Sequence, residues 1–226
     1  LEKRRALISP GSRAAFRAFS GAADGVDGIF IDVYAEGAVL IEYEGRAPRW
    51  WNVTEGAAAA LRVLAPAGVR AVYHKPFMKD RSRMGGALPE CASSPTPAAG
   101  EVLPESLLIR EGAMNLEIRL YDGLSTGLFL DQRANRERIR GMVADRAAKT
   151  RAPVAVLNTF AYTCAFSVGA ALGGATTTSV DVSARYLEWG KRNFAHNGID
   201  ESKHRFAKMG TMEFLEYAAK KQLRYD

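Results

Sequence analysis

Asn158 and Asp181 stand 23 residues apart, in two successive stretches of the chain. The first stretch is VLNTFAYTCAFSVGAALGGA, Val156 to Ala175, an apolar strand that breaks into a short polar turn and then a helix of small residues. The second, TTTSVDV, ends around Asp181. In an open α/β sheet a cofactor lies at the carboxyl ends of the strands, with its polar groups over the first strand-to-helix turn and an acidic residue closing the second strand. Asn158 to Ala165 form such a turn, and Asp181 is such an acid. A carboxylate there can accept hydrogen bonds from both hydroxyls of a ribose. The alternative is that Asp181 only caps the helix beginning at Ser183. The turn has no GxGxxG, hence no glycine path for a pyrophosphate, which disfavours a nicotinamide or flavin dinucleotide.

The elements that must carry these residues alternate along the second half of the chain. Strands are predicted at Val154 to Phe160, Thr176 to Val182 and Arg205 to Lys208. Helices are predicted at Ala165 to Leu172, Ala184 to His196 and Met212 to Lys220. This order specifies a mainly parallel sheet with right-handed crossovers. Ser183 suits an N-cap and Gly198 the residue after a helix. Earlier in the chain a helix is predicted from Ser12 to Phe19. DGVDGIFIDVYAEGAVLIEYEG gives two strands around a turn at Ala35 to Gly37, followed by a helix from Trp50 to Leu64 and a strand at Val69 to His74. LLIREGAMNLEIRLYDG reads as a hairpin turning at Glu111 and Gly112. The stretch Arg81 to Glu101, rich in Pro, Gly, Ser and Ala, reads as a mobile loop or linker. The expected organisation is a small α+β domain over residues 1–103, then the hairpin and an α/β domain over 104–226.

With 226 residues, 47% hydrophobic and 25% charged, the chain has the composition of a soluble globular protein able to bury a core. No run reaches the roughly 18 apolar residues of a membrane span and no signal sequence opens the chain, so a cytoplasmic or organelle-matrix location is expected and no membrane partner. The sequence opens on Leu1, which leaves open whether a targeting segment once preceded it. Cys91 and Cys164 have no CxxC spacing, and His74, His196 and His204 share no ligand spacing, so neither a disulfide nor a metal site is expected. No Ser, His and Asp set is framed by a hydrolase motif. Trp50 and Trp51 could stack on bases, or open a helix against the core.

The formal charge of +6 is concentrated. Gln132 to Arg151 hold Arg133, Arg136, Arg138, Arg140, Arg146, Lys149 and Arg151 against Glu137 and Asp145, a net +5 in 20 residues. On a helix such a run can lie along phosphates and make binding steeply salt dependent. It can equally be a solvated helix face.

GLSTGLFLDQRANRERIR, VLNTFAYTCAFSVGAALGGA, SVDVSARYLEWGKRNFAHNGID and HRF, taken together and in order, resemble the large-subunit (23S) ribosomal RNA methyltransferases of the class I, S-adenosylmethionine-dependent fold. The match is dense over Gly123 to Phe206 and weaker before it, where ADGVDGIFIDVYAEGAVL looks like the small domain that precedes the catalytic domain in that family. The resemblance implies a partial Rossmann-like class I methyltransferase domain, the first half of its sheet, preceded by a small α+β domain. It implies S-adenosylmethionine as cofactor and ribosomal RNA or a ribosome as partner. Phe129, Asp131, Gln132, Arg133 and Arg136 fall on the family's GLFLDQR segment beside the cofactor. Asn158, Phe160, Tyr162 and Thr163 fall on its first cofactor motif, and Asp181 on its ribose carboxylate. Arg138, Arg140, Arg146, Lys149 and Arg151 are the expected RNA-binding residues.

Three departures from the family pattern carry expectations of their own. Cys164 stands where the family usually has glycine, so its thiol either crowds the methionine end of the cofactor or packs as a small apolar residue. After HRF the family commonly places an acid that reaches the adenine amino group, and this chain has Gly210 in AKMGTM; binding would be weakened by about 1 kcal/mol. The catalytic Asp/Asn-Pro-Pro motif occurs nowhere in the 226 residues. The strand at Val154 is therefore expected to be an apolar edge, completed by more of the polypeptide, a second chain or a large assembly. Two readings follow: a methyltransferase acting on a ribosomal RNA base, or a methyltransferase-derived protein without chemistry that serves as an RNA-binding or assembly component of a ribosome.

Overall fold

The computed structural model describes residues 14–79 and 89–226. It divides into two compact units, Leu1–Arg110 with Ile118–Thr126, and Glu111–Glu117 with Gly127–Asp226.

In the first unit the sheet order is β1 (Ala15–Ser20), β2 (Ile29–Tyr34), β3 (Gly37–Tyr43), β4 (Ala71–Phe77), β5 (Ala99–Gly100). Only β3 and β4 pair in parallel, through the crossover helix α1 (Val53–Leu64). Ala35, at a φ of 51°, makes the β2–β3 turn. Asn52 caps α1 by accepting from the Glu55 amide at 3.1 Å, so the helix starts three residues after the predicted Trp50. Trp50 is exposed, whereas Trp51 packs on Gly56 and against the apolar cluster of Phe16, Val33, Leu40, Ala57, Leu64 and Val72.

The predicted helix at Ser12 to Phe19 is wrong over its described part. Residues 15–20 form β1, antiparallel to β2 with a bulge between Arg17 and Phe19. Ala and Arg favour helix locally, but Phe16 and Ala18 gain a buried sheet face while Arg17 reaches Asp32 with paired bonds of 2.7 and 2.9 Å, and packing overrides propensity. Ser12 and Arg13 lie outside the described residues, as do residues 81–88 of the predicted loop. The described remainder of that loop is built into the unit: the Ala98 amide donates to Val72, and Tyr73 Oη to the Pro95 carbonyl. Lys75 is 1% exposed and donates to the carbonyls of Gly123 at 2.6 Å and Ser125 at 3.3 Å.

The hairpin of β6 (Leu107–Glu111) and β7 (Met114–Ile118) straddles the division between the units. The second unit then runs α2 (Arg133–Thr150), β8 (Val154–Thr159), α3 (Ala165–Leu172), β9 (Ala175–Asp181), α4 (Ala184–Ala195), β10 (Arg205–Lys208), α5 (Thr211–Lys220). The strands are parallel in the order β10-β9-β8. Val143 of α2 and Ala170 of α3 pack on Val154 and Ala175, and Phe214 and Ala218 of α5 pack on Val180 and Leu157. Alternate residues of β8 thus face different helices, and the sheet is covered on both sides. The outer edge of β8 pairs with Asp226, whose amide donates to the Ala155 carbonyl at 2.9 Å and whose carboxylate accepts from the Ala155 amide at 2.9 Å. Among the described residues no helix is long and apolar enough to cross a membrane.

Candidate cofactor site

The turn leaving β8 is strained by design. Phe160, Tyr162 and Cys164 have φ of 55°, 51° and 59°, each costing about 1 kcal/mol in a residue with a side chain. What holds it is a set of bonds from neighbouring elements. The Ala161 amide donates to the Val180 carbonyl at 3.0 Å. The Tyr162 amide donates to Asp181 Oδ2 at 2.8 Å, and the Ser183 amide to Oδ1 at 2.9 Å. Ser183 Oγ in turn caps α4 by accepting from the Tyr186 amide at 3.3 Å. Asp181 therefore braces the turn and the start of α4 together. Two of the roughly four acceptor positions of its carboxylate are used, and the residue is partly exposed.

Around this acid the carboxyl ends of the three strands expose apolar side chains. Phe160 follows β8 and is 79% exposed, Val182 follows β9 at 70%, and Met212 opens α5 after β10 at 71%. Phe129, 59% exposed, has its ring 5.4 Å from that of Tyr162, which packs edge-on to Tyr186 at 4.5 Å. A carboxylate with acceptor capacity left, flanked by exposed apolar surface, is chemically suited to a nucleoside such as that of S-adenosylmethionine, whose hydroxyls donate and whose base is flat and largely apolar. Val182 and Met212 were absent from the residues singled out in the sequence. An apolar residue directly after the acid, with no core position to fill, is the signal that would have found Val182.

The other predicted residues divide between surface and scaffold. Asp131 and Gln132 lie together on the surface, Gln132 Nε2 donating to Asp131 Oδ2 at 2.9 Å and its Oε1 accepting from Asn135 at 2.8 Å. Asn158 donates to Ser167 Oγ at 2.9 Å, which bonds Ser179 Oγ at 2.7 Å, tying β8, α3 and β9 together. The Gly127 amide donates to Tyr162 Oη at 2.9 Å, while Thr163 Oγ1 donates to the Gly127 carbonyl at 2.6 Å. Gly127 has a φ of 96°, and a Cβ there would come within 2.7 Å of the Trp189 ring, so only glycine fits. Asn193, on α4, closes the scaffold by donating to the Thr163 carbonyl at 2.9 Å and accepting from the Glu117 amide at 2.8 Å.

Two expectations are corrected by burial. Arg136, placed beside the cofactor by the resemblance, is 1% exposed and spends its guanidinium on Glu111, at 2.7 Å twice, and on the Phe129 carbonyl at 2.9 Å. Thr163 is likewise 1% exposed with its hydroxyl engaged. Neither side chain can touch a ligand. Arg133 reaches the same Glu111 at 3.4 Å. The thiol of Cys164 is turned inward against Gly190 of α4 and is fully buried, and burial pushes it up to about 12. It packs as a small apolar residue and does not face the strand ends.

The charge on α2 is also smaller than its sequence suggests. Besides the Glu111 pairs, Arg140 is bound to Glu137, and Arg146 to Asp226. Arg138, Lys149 and Arg151 are exposed with no acidic partner among the described residues. Helical spacing sets Arg138, Met142 and Lys149 on one outward face, with Asp145 among them.

A family model described as S-adenosylmethionine-dependent methyltransferase matches residues 89–225, more than half of the chain. The chain belongs to this family. It is also 36% identical, over its whole length, to the Bacillus subtilis (strain 168) protein named "Putative ribosomal RNA large subunit methyltransferase YwbD", covering 52% of that protein. It is 34% identical over 186 residues to the ribosomal RNA large subunit methyltransferase K/L of Legionella pneumophila (strain Corby), with 82% of this chain and 24% of that protein covered. Among solved structures, one described as "SMU.776, a putative methyltransferase complexed with SAH" superposes with a TM-score of 0.79 at 29% identity, covering all of this chain and 53% of that one. The chain thus spans about half the length, or less, of these relatives.

Proposed function

We propose that the whole protein transfers a methyl group from S-adenosylmethionine to a base of large-subunit ribosomal RNA, and that the second unit supplies its cofactor floor. The observation that carries the cofactor half of this reading is Asp181. Its carboxylate is fixed by two backbone amides at the end of β9, keeps acceptor capacity, and stands among exposed apolar residues. The substrate half rests on the names of two relatives, both of which contain the words "ribosomal RNA large subunit methyltransferase". No observation favours the alternative of a ribosomal component without chemistry.

When bound, the cofactor supplies an electrophilic methyl on a sulfonium, so the protein's work is alignment, which can contribute several kcal/mol. In this reading Asp181 accepts from the ribose, and Val182, Met212 and Phe160 offer apolar surface to the adenosine. Phe129, Asp131 and Gln132 overlie the site from the segment before α2, with Arg133 at its end. Asn158, Tyr162 and Thr163 act at one remove, by holding the turn. Arg138, Lys149 and Arg151 lie along phosphates, with Arg140 and Arg146 contributing only as their acidic partners release them. The target base is presented unstacked or single-stranded.

The test is methyl transfer from labelled S-adenosylmethionine by the full-length natural protein to protein-free RNA of the large subunit, with small-subunit RNA as control. Label confined to one nucleotide of the large-subunit RNA is expected. No label in RNA, from a preparation that binds the cofactor, contradicts the substrate assignment.

A further inference from the structure

Arg136 is the most buried cation of the second unit, yet no ligand can reach it. Its Nε and Nη2 meet Glu111 Oε1 and Oε2 as a bidentate pair, both at 2.7 Å, and its Nη1 donates to the Phe129 carbonyl at 2.9 Å. Glu111 is itself 3% exposed. A buried pair of this kind is a poor source of stability, because desolvating two charges offsets most of their attraction, and apolar replacements are often neutral or better. What such a pair supplies is direction: five donors in a rigid plane, locked by a carboxylate that cannot move.

The direction here is toward one carbonyl. Phe129 is extended, with φ −94° and ψ 108°, and leads into a single 3-10 turn, Leu130–Gln132, before α2 begins. The same carbonyl accepts from the Gln132 amide at 3.2 Å, so the turn closes on the atom that Arg136 holds. The side chains this turn displays, Phe129 and Asp131, are exposed, and the Phe129 ring meets Tyr162 of the β8 turn.

We propose that Arg136 is a positioning residue for the cofactor: anchored by Glu111, it fixes the Phe129 carbonyl and so the stretch Phe129–Gln132 that overlies the site. This rests on the cofactor reading above. The ion pair is thereby a device for ligand geometry more than for folding, and its loss is read in affinity when stability is preserved.

The test compares the full-length natural protein with the double variant Glu111→Leu, Arg136→Met and with Arg136→Lys, by thermal unfolding and by titration with S-adenosylhomocysteine. The double variant is expected to melt near the parent and to bind about tenfold more weakly. Arg136→Lys, which keeps the charge without the planar fork, is expected to fall between, and amide exchange at residues 130–132 to quicken in both. A purely structural role lowers the melting temperature and leaves affinity in place, and that result overturns the inference. If the double variant fails to fold, unchanged affinity in Arg136→Lys overturns it equally. Failure of the parent to bind S-adenosylhomocysteine at all removes the cofactor reading itself, and this inference with it.

Discussion

The sulfur of Cys164 fills the space that a side chain on Gly190 would need: a Cβ at residue 190 would approach Cys164 Cβ to 2.9 Å and the sulfur more closely still. Cysteine in the turn and glycine on α4 are one fitted contact, which explains how a bulkier residue stands at a left-handed position, φ 59°, without crowding the strand ends. Gly190→Ala is expected to destabilise the protein by about 1–3 kcal/mol, and Cys164→Gly to recover part of that loss in the double variant. Denaturant unfolding of the four proteins measures the coupling. Strict additivity contradicts the fitted contact.

The two thiols should separate chemically. Cys91 is exposed, whereas Cys164 is buried and its thiol is pushed up to about 12. Since the thiolate is the reacting form, a disulfide reagent should titrate one thiol in the folded protein and the second only on unfolding. Two equally fast thiols would place Cys164 at the surface.

Lys75 makes stability depend on pH in a defined direction. Burial lowers its ammonium from 10.5 to about 7, against the pull of Asp122. Between those values the unfolded chain holds more protons than the folded one, so unfolding free energy rises with pH, by at most about 1.4 kcal/mol per pH unit, and the gain is lost as pH falls toward 7. The difference in stability between the parent and Lys75→Met, followed from pH 7 upward by denaturant unfolding, should therefore shift in favour of the parent. Parallel profiles would mean that Lys75 keeps an ordinary amine.

Gly210 caps α5 without a side chain, and a Cβ there would meet only Glu213, at 3.9 Å. Gly210→Asn is sterically free and adds an acceptor at the end of β10. It should tighten S-adenosylhomocysteine binding by a few-fold, in line with about 1 kcal/mol for one hydrogen bond. Asparagine is preferred to aspartate because Glu213 already carries a negative charge beside the site. Unchanged affinity in titration would remove Gly210 from the adenosine contacts.

The salt dependence of RNA binding should reside in the unpaired cations of α2. Replacing Arg138 and Lys149 with alanine is expected to lower the slope of log affinity against log salt by about 2, whereas Arg140→Ala, whose guanidinium is already bound to Glu137, changes it less. Equal slopes in parent and double variant would show that phosphates lie elsewhere.

How much could be read from sequence follows from where each signal lives. The run from β8 to α5 was legible because apolar period, caps and turns agree: Ser183 does cap α4, and Asp181 does end β9. β1 was misread because AFRAFS has helical composition and becomes a strand only through its pairing with β2. Of the candidate site, the position of Asp181 at the end of β9 was legible, because it is fixed by local order. It was misleading at Arg136, since a cation in an apparently basic helix gives no hint that Glu111, 25 residues earlier and read only as a turn residue, lies buried against it. The fitted pair of Cys164 and Gly190 was invisible for the same reason: it exists only once α3 and α4 pack.

In the proposed reading the β8 turn and Asp181 hold S-adenosylmethionine. Calorimetric titration of S-adenosylmethionine into the full-length natural protein, beside its Asp181→Ala variant, tests it most directly. Micromolar binding by the parent and a loss of at least about tenfold in the variant are expected, with folding of both checked by circular dichroism. A folded parent that takes up no ligand at millimolar concentration, or a variant that binds as the parent does, would contradict it.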